Sequence, residues 1–223
     1  MKLLKRKPRS FDIQVQDLTL HIQAGGDLHE ESRAAALSFW EQLHAYTIGH
    51  PEIRTSKRPI EVPADAPDIV REIIGASRRA GVGPMFSLQG AVADHVGRFL
   101  AREVNDVTVN CGGDYFIVAR RRQKLTVTQA AGGPVAVVVP PSKQGIGVAM
   151  FVGRGGRPPD GLAVLAESCM LADAVAAGVR AILPKENGFD GAMAYLGKIQ
   201  GVFGAVVLVG ERIGVMGTVE LAA

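Results

Sequence analysis

Apolar and polar residues alternate twice near the start of the chain: Phe11, Ile13 and Val15, then Leu18, Leu20 and Ile22. Alternation of period two marks a half-buried strand. The parity flips around Gln16 and Asp17, which predicts a tight hairpin or a bulge in an antiparallel pair. Asp27 followed by Glu30 has the form of a capping box, so a helix is expected from there to about Gly49. The stretch "HPEIRTSKRPIEVPADAP" is a proline-punctuated connector. Asp65 with Pro67 then opens a second helix, whose Ile69, Val70, Ile73 and Ile74 share one face and which Gly81 closes.

A third helix is expected from Pro84 or Met85, carrying Val92, Val96, Phe99 and Leu100 inward. Strands follow in quick succession at about 106–110, 115–119, 124–129, 134–139 and 146–152, with "LAVLA" as a further candidate. A helix of small residues spans about Ser168 to Leu183, where Pro184 ends it. The segment "AVVLVGERIGVMGTVEL" reads as a last hairpin. Helices mixed with short strands on hairpin-length connections predict an α+β fold with a mixed, largely antiparallel sheet. A single domain is expected over 11–223, behind a basic tail at 1–10.

Composition changes this picture in two ways. The 47% of hydrophobic residues in a 223-residue chain is enough for a substantial core, which excludes global disorder. The formal charge of +3 comes from the tail: without Lys2, Lys5, Arg6, Lys7 and Arg9 it falls to −2. The body is therefore nearly neutral, and Arg120, Arg121, Arg122 and Lys124 read as a charged turn rather than a nucleic-acid surface. Two cysteines, Cys111 and Cys169, make no disulfide framework and fit a reducing, cytoplasmic setting. No apolar run is long enough to span a bilayer.

Candidate chemistry concentrates in "VTVNCGGDYFIV", residues 107–118. Gly112 and Gly113 admit positive φ and close backbone approach, so the turn is either a plain Gly-Gly hairpin or an anion cradle. Cys111 as a nucleophile has no base supplied by any motif. In "LADAVAAGVRA", Asp173 lies opposite the apolar face of Leu171, Ala174, Val175, Gly178, Val179 and Ile182, among small neighbours and Arg180. Such a carboxylate must be paired, capped or metal-bound, or else be a first-turn residue facing the helix dipole. All five histidines, His21, His29, His44, His50 and His95, lie in the first half of the chain. No HExxH, CxxC, GxSxG or Walker loop is present, which argues against zinc and against a Ser or Cys triad.

Taken in order, "GVGPMFSLQGAVADHVGRFL", "VTVNCGGDYFIV" and "ESCMLADAVAAG" resemble the ApbE superfamily, and most closely its compact, uncharacterised branch. The best-known members move FMN from FAD onto a protein threonine. The resemblance covers nearly the whole chain and implies a small-molecule cleft for FAD, FMN or another phosphorylated ligand. It assigns cofactor binding to Gln89, Gly90, Asp94, Asn110, Gly112, Gly113 and Asp114, and makes Asp173 the candidate metal ligand. It also shows what is missing. The transferases carry a lysine where Gln89 stands and a magnesium-binding threonine where Ala177 stands. Their histidine and Asp-Pro-x-Thr-Gly segment has only a shortened echo in "GRGGRPPDG". The resemblance thus implies a binding module with incomplete transfer machinery. The alternatives are a working magnesium-dependent transferase and a non-catalytic accessory protein, to which the branch attaches a role in sulfur assimilation.

Overall fold

The computed structural model describes residues 8–129, 133–153 and 158–222. The basic tail therefore lies mostly outside the described residues, as does the 154–157 part of "GRGGRPPDG". In chain order the elements are β1 (Pro8–Val15), β2 (Leu18–Gly25), α1 (His29–Gly49), α2 (Pro51–Thr55) and α3 (Asp68–Ala80). A 3-10 turn (Pro84–Ser87) leads into α4 (Leu88–Leu100). Then come β3 (Val107–Cys111), β4 (Asp114–Ala119), β5 (Gln123–Gln129), β6 (Gly133–Val139), β7 (Ser142–Val152) and β8 (Gly161–Ala166). The chain continues with α5 (Cys169–Ile182), α6 (Gly188–Leu196), β9 (Val202–Val209), β10 (Arg212–Gly217) and β11 (Glu220–Ala222).

Eight strands form one sheet in the order β1-β2-β3-β4-β7-β8-β9-β10, and β11-β6-β5 form a second. Every pairing between described strands is antiparallel. The α+β expectation holds, with nothing parallel in the sheets.

The helices cover one face of the large sheet, and the small sheet covers part of the other. The strand β8 shows the consequence. Leu162, Val164 and Ala166 pack toward α5, while Ala163 and Leu165 pack toward the small sheet. A strand buried on both faces needs no alternation, which is why "GLAVLA" reads as an unbroken apolar run. Strands β1 to β3 keep their alternation because the small sheet does not cover them: Ile13, Leu20 and Ile22 are buried, whereas Asp12, His21 and Gln23 are exposed.

Several sequence expectations need correction. Asp27 and Glu30 form no capping box. The N-cap position is Leu28, no side chain caps α1, and Asp27 pairs with Arg9 at 2.6 Å. Nor does Asp65 open α3, which starts behind Pro67 without a side-chain cap. Asp65 instead accepts a hydrogen bond from the Tyr46 hydroxyl at 2.9 Å, tying the connector to α1. Phe99 is not inward but 37% exposed, because Val92, Val96 and Leu100 already fill the one face of α4 that meets the sheet. Helices α2 and α6 had no expectation at all. The 1–2 hairpin resolves as a tight turn with Val15 opposite Leu18 and Gln16 at φ 53°.

Of the basic cluster, Arg120, Arg121 and Arg122 connect β4 to β5, while Lys124 lies within β5. Arg120 binds Asp106 and Arg122 binds Glu220, both at 2.6 Å. Among the described residues no helix is long and apolar enough to cross a membrane.

Candidate active site cleft

The strands β3 and β4 meet in a two-residue turn, with Cys111 opposite Asp114. Gly112 and Gly113 have φ of +64° and +105°, as a primed hairpin turn requires. Three contacts fix it. The Asn110 side-chain oxygen accepts from the Gly113 amide at 3.0 Å, and the Gly113 carbonyl accepts from the Met150 amide on β7 at 2.9 Å. The Gln89 side chain lies directly against Gly112, where any Cβ would stand 2.6 Å from its amide nitrogen. Glycine is required at Gly112 by its positive φ, and any larger residue would also displace the Gln89 amide.

The helix α5 lies over the turn, and its own start is held from below. Asp94 on α4 is 1% exposed and accepts from the Cys169 and Met170 amides at 3.0 and 2.9 Å. Ser168 accepts from the Leu171 amide at 3.2 Å. The free amides of the first turn are therefore satisfied inside the protein. That uses both Asp94 oxygens, so Asp94 serves α5 and does not face the cleft. The same geometry closes the helix N-terminus to an anion.

Further along α5, Asp173 accepts from the Gly90 amide at 3.0 Å. Asp114 is only 6% exposed and lies close enough to Asp173 for their charges to interact. Burial first, and then Asp173, pushes the Asp114 carboxyl well up from the ordinary range, against the pull of Arg180. Burial pushes Asp173 up to about 7, opposed by the Gly90 amide and Arg180. Asp94 rises to about 6, again through burial, opposed by its two amide donors.

The sign of the resulting pH dependence follows. Each of these carboxyls binds its proton more tightly folded than unfolded, where an aspartate titrates near 4. Their stabilising contribution is complete below about pH 4 and is lost as pH rises through about 6 and 7. The thermal midpoint of the ligand-free protein is therefore expected to be higher at about pH 5 than at about pH 8, and Asp173→Asn should shrink the difference. A midpoint that climbs steadily toward pH 8 would contradict this.

Both thiols sit in the same neighbourhood. Burial, with Asp114 and Asp173 adding to it, pushes Cys111 up to about 12. Cys169 is fully buried and also raised, with Asp94 the largest nearby charge. Neither thiol forms a thiolate at neutral pH. Native protein is expected to resist a polar alkylating reagent at both positions, with labelling only after denaturation; rapid native labelling in a peptide map would refute it.

The structure thus brings Gln89, Gly90, Gly112, Gly113, Asp114 and Asp173 to one place. Asn110 supports the turn from the other sheet face, and Asp94 stands behind α5. Ala177, one helical turn beyond Asp173, is partly exposed and brings no oxygen. Among the described residues no group of three or more His, Cys, Asp or Glu could hold a metal ion. Sequence reasoning placed Arg180 beside Asp173 on the helix but gave it no role; its guanidinium sits 4.3 Å over the Phe151 ring and its charge reaches both carboxylates. The signal was its spacing: seven residues after Asp173 is two helical turns, hence the same face.

Comparison with known proteins gives the chain a family and a fold. The family model described as AbpE bacteria matches residues 1–183. A UPF0280 protein of Methanopyrus kandleri is 28% identical over 173 residues, 75% of this chain and 70% of its own length. A UPF0280 protein of Methanospirillum hungatei is 28% identical over 152 residues, and the match spans 62% of that relative's length and 64% of this chain. Among solved structures, the apo flavinyl transferase ApbE of Pseudomonas stutzeri superposes with a TM-score of 0.62 at 16% identity, covering 97% of this chain and 96% of its own. The ApbE protein of Thermotoga maritima gives 0.60 at 11% identity, covering 93% and 96%. At such identities the likeness establishes the fold.

Proposed function

The chain belongs to the AbpE bacteria family, and from that premise we propose that the cleft between the Gly112–Asp114 turn and α5 binds a flavin nucleotide or a similar phosphorylated small molecule without transferring FMN. One observation carries the reading. The nearly buried Asp114 carboxylate receives no hydrogen bond from any described residue and stands beside a second carboxylate, Asp173. The Asp114 oxygens without a donor open to the cleft and are not sealed in, and two carboxylates at close range repel each other when both are charged. The arrangement calls for a partner from outside the chain.

Two carboxylates repel phosphate, so a phosphorylated ligand enters this cleft with a counter-charge. Magnesium fits the donor set in a restricted way. It commonly keeps several waters and binds through one or two carboxylates plus substrate phosphates. Asp114 and Asp173 would hold it jointly with the ligand, and weakly without it, since Ala177 supplies no oxygen. Bound there, the ion would neutralise phosphate charge. Arg180, braced on Phe151, offers a second cation at the cleft edge. Transfer needs more: something to activate the acceptor hydroxyl. No histidine follows His95, and the position of the transferases' lysine holds Gln89.

Titration of FMN and FAD, followed by flavin fluorescence with and without magnesium, tests the binding reading. Binding is expected to strengthen with magnesium, to weaken in Asp173→Asn and to gain magnesium affinity in Ala177→Thr. Absence of flavin binding in every arm would favour the accessory-protein reading. A threonine-bearing peptide incubated with the protein, FAD and magnesium is expected to keep its mass. Covalent FMN on that peptide, lost in Asp173→Ala, would establish a working transferase instead.

A further inference from the structure

We propose that the uncovered face of β1 to β3, bounded by Tyr115 of β4, carries a second binding site, for an uncharged planar heterocycle of the nucleobase kind. The small sheet shields β4, β7, β8 and β9 on this face but stops short of β1 to β3. A shallow, open depression of about 200 Å³ lies there. That is room for one ring system.

Register builds its lining. Asp12 opposes His21, His21 opposes Asn110, and Asn110 opposes Tyr115, so four strands contribute one straight row. Gln23 opposes Thr108 in the adjacent row, and all six residues line the depression. Neighbours in such rows lie about 5 Å apart, within reach of one small ligand.

The polar groups are already oriented. Asp12 holds the His21 Nδ1 at 2.7 Å, which leaves Nε2 as an acceptor when the ring is neutral. The Asn110 oxygen is occupied by the Gly113 amide, so its Nδ2 is the end left to donate. An acceptor and a donor on directly opposed residues match the donor–acceptor edge of a nucleobase, the kind of edge that carboxamides read. Tyr115 adds an aromatic wall, half-buried against the core between the sheets. Among the described residues no Lys or Arg lines the depression, which sets it apart chemically from the Asp114–Asp173 cleft on the opposite sheet face.

Amide chemical shifts of labelled full-length protein, titrated separately with adenosine, guanosine and uridine, test this. At least one nucleoside is expected to give saturable shifts centred on residues 10–23 and 108–115. Gln23→Ala should weaken that binding about tenfold, the loss of one well-placed hydrogen bond, with an unchanged thermal midpoint because Gln23 is exposed. His21→Ala should act likewise. No saturable shift with any of the three, shifts centred on residues 150–180, or full affinity in both variants would each overturn the proposal.

Discussion

Gly147→Ala is expected to abolish the native fold or to leave it less stable by more than about 3 kcal/mol. A Cβ at Gly147 would stand 2.1 Å from the Cys169 nitrogen and the Ser168 carbonyl carbon, and 2.2 Å from the Ser168 oxygen. All three are backbone atoms at the start of α5, and they cannot swing aside as a side chain would. Strand β7 pairs with β4 at Phe116 and with β8 at Ala166 here, so it is pinned on both sides. Folded domains have only about 5–15 kcal/mol to lose. Urea unfolding followed by circular dichroism measures the change, and a variant within about 1 kcal/mol of the parent would show that the helix can lift away. Gly75→Ala is the contrast: nothing lies within 4 Å of the new methyl. In the middle of α3 that change should stabilise by up to about 1 kcal/mol.

The second large effect is expected at Asp94. Removing its carboxylate in Asp94→Ala strands the Cys169 and Met170 amides inside the protein. Losing a helix cap and leaving two buried donors unpaired should together cost about 2–4 kcal/mol at neutral pH. Asp94→Asn is expected to recover less than half of that. Its single carbonyl oxygen serves one amide, and its NH2 group faces the other as a second donor. Equal stability of the parent and Asp94→Asn in urea would mean that one amide has another acceptor. Because Asp173 lies in the second turn of the helix that Asp94 anchors, flavin binding should fall alongside stability in Asp94→Ala.

How much of this was legible beforehand depended on whether a residue's task was local. The Gly112-Gly113 turn was readable because φ is set by the residue itself. The strand face of β1 and β2 and the apolar face of α3 were readable because periodicity reports a single interface. Asp27 shows where the reading fails. The capping box is a local pattern, yet Arg9, eighteen residues earlier, takes the carboxylate. Phe99 was placed inward on helical spacing alone, yet the buried positions of α4 are Gly90 to Asp94, Val96, Gly97 and Leu100, with Gly97 fitted against Phe116. The Asp94 role was invisible from sequence, since its two donors lie 75 and 76 residues away. Of the residues that the family resemblance assigned, Gln89, Gly90, Gly112, Gly113, Asp114 and Asp173 lie together, whereas Asp94 holds the start of α5 and Asn110 braces the turn. Arg180 comes near the two carboxylates through its helix face and not through a motif.

The pairing of β11 with β6 bears on how the molecule comes into being. Residues 220–222 close a sheet on residues 136–138, and β9 joins β8 only after the intervening α5 and α6 are made. During synthesis at roughly 5–20 residues per second, β6 waits several seconds with one edge bare. An apolar strand edge exposed for that long is a site for association with neighbouring nascent chains. Lys124 and Arg122 on adjoining β5 and its approach put charge beside it, a gatekeeping arrangement. Production of the protein should accordingly be sensitive to a bulky group fused closely behind β11, which would delay that strand from docking.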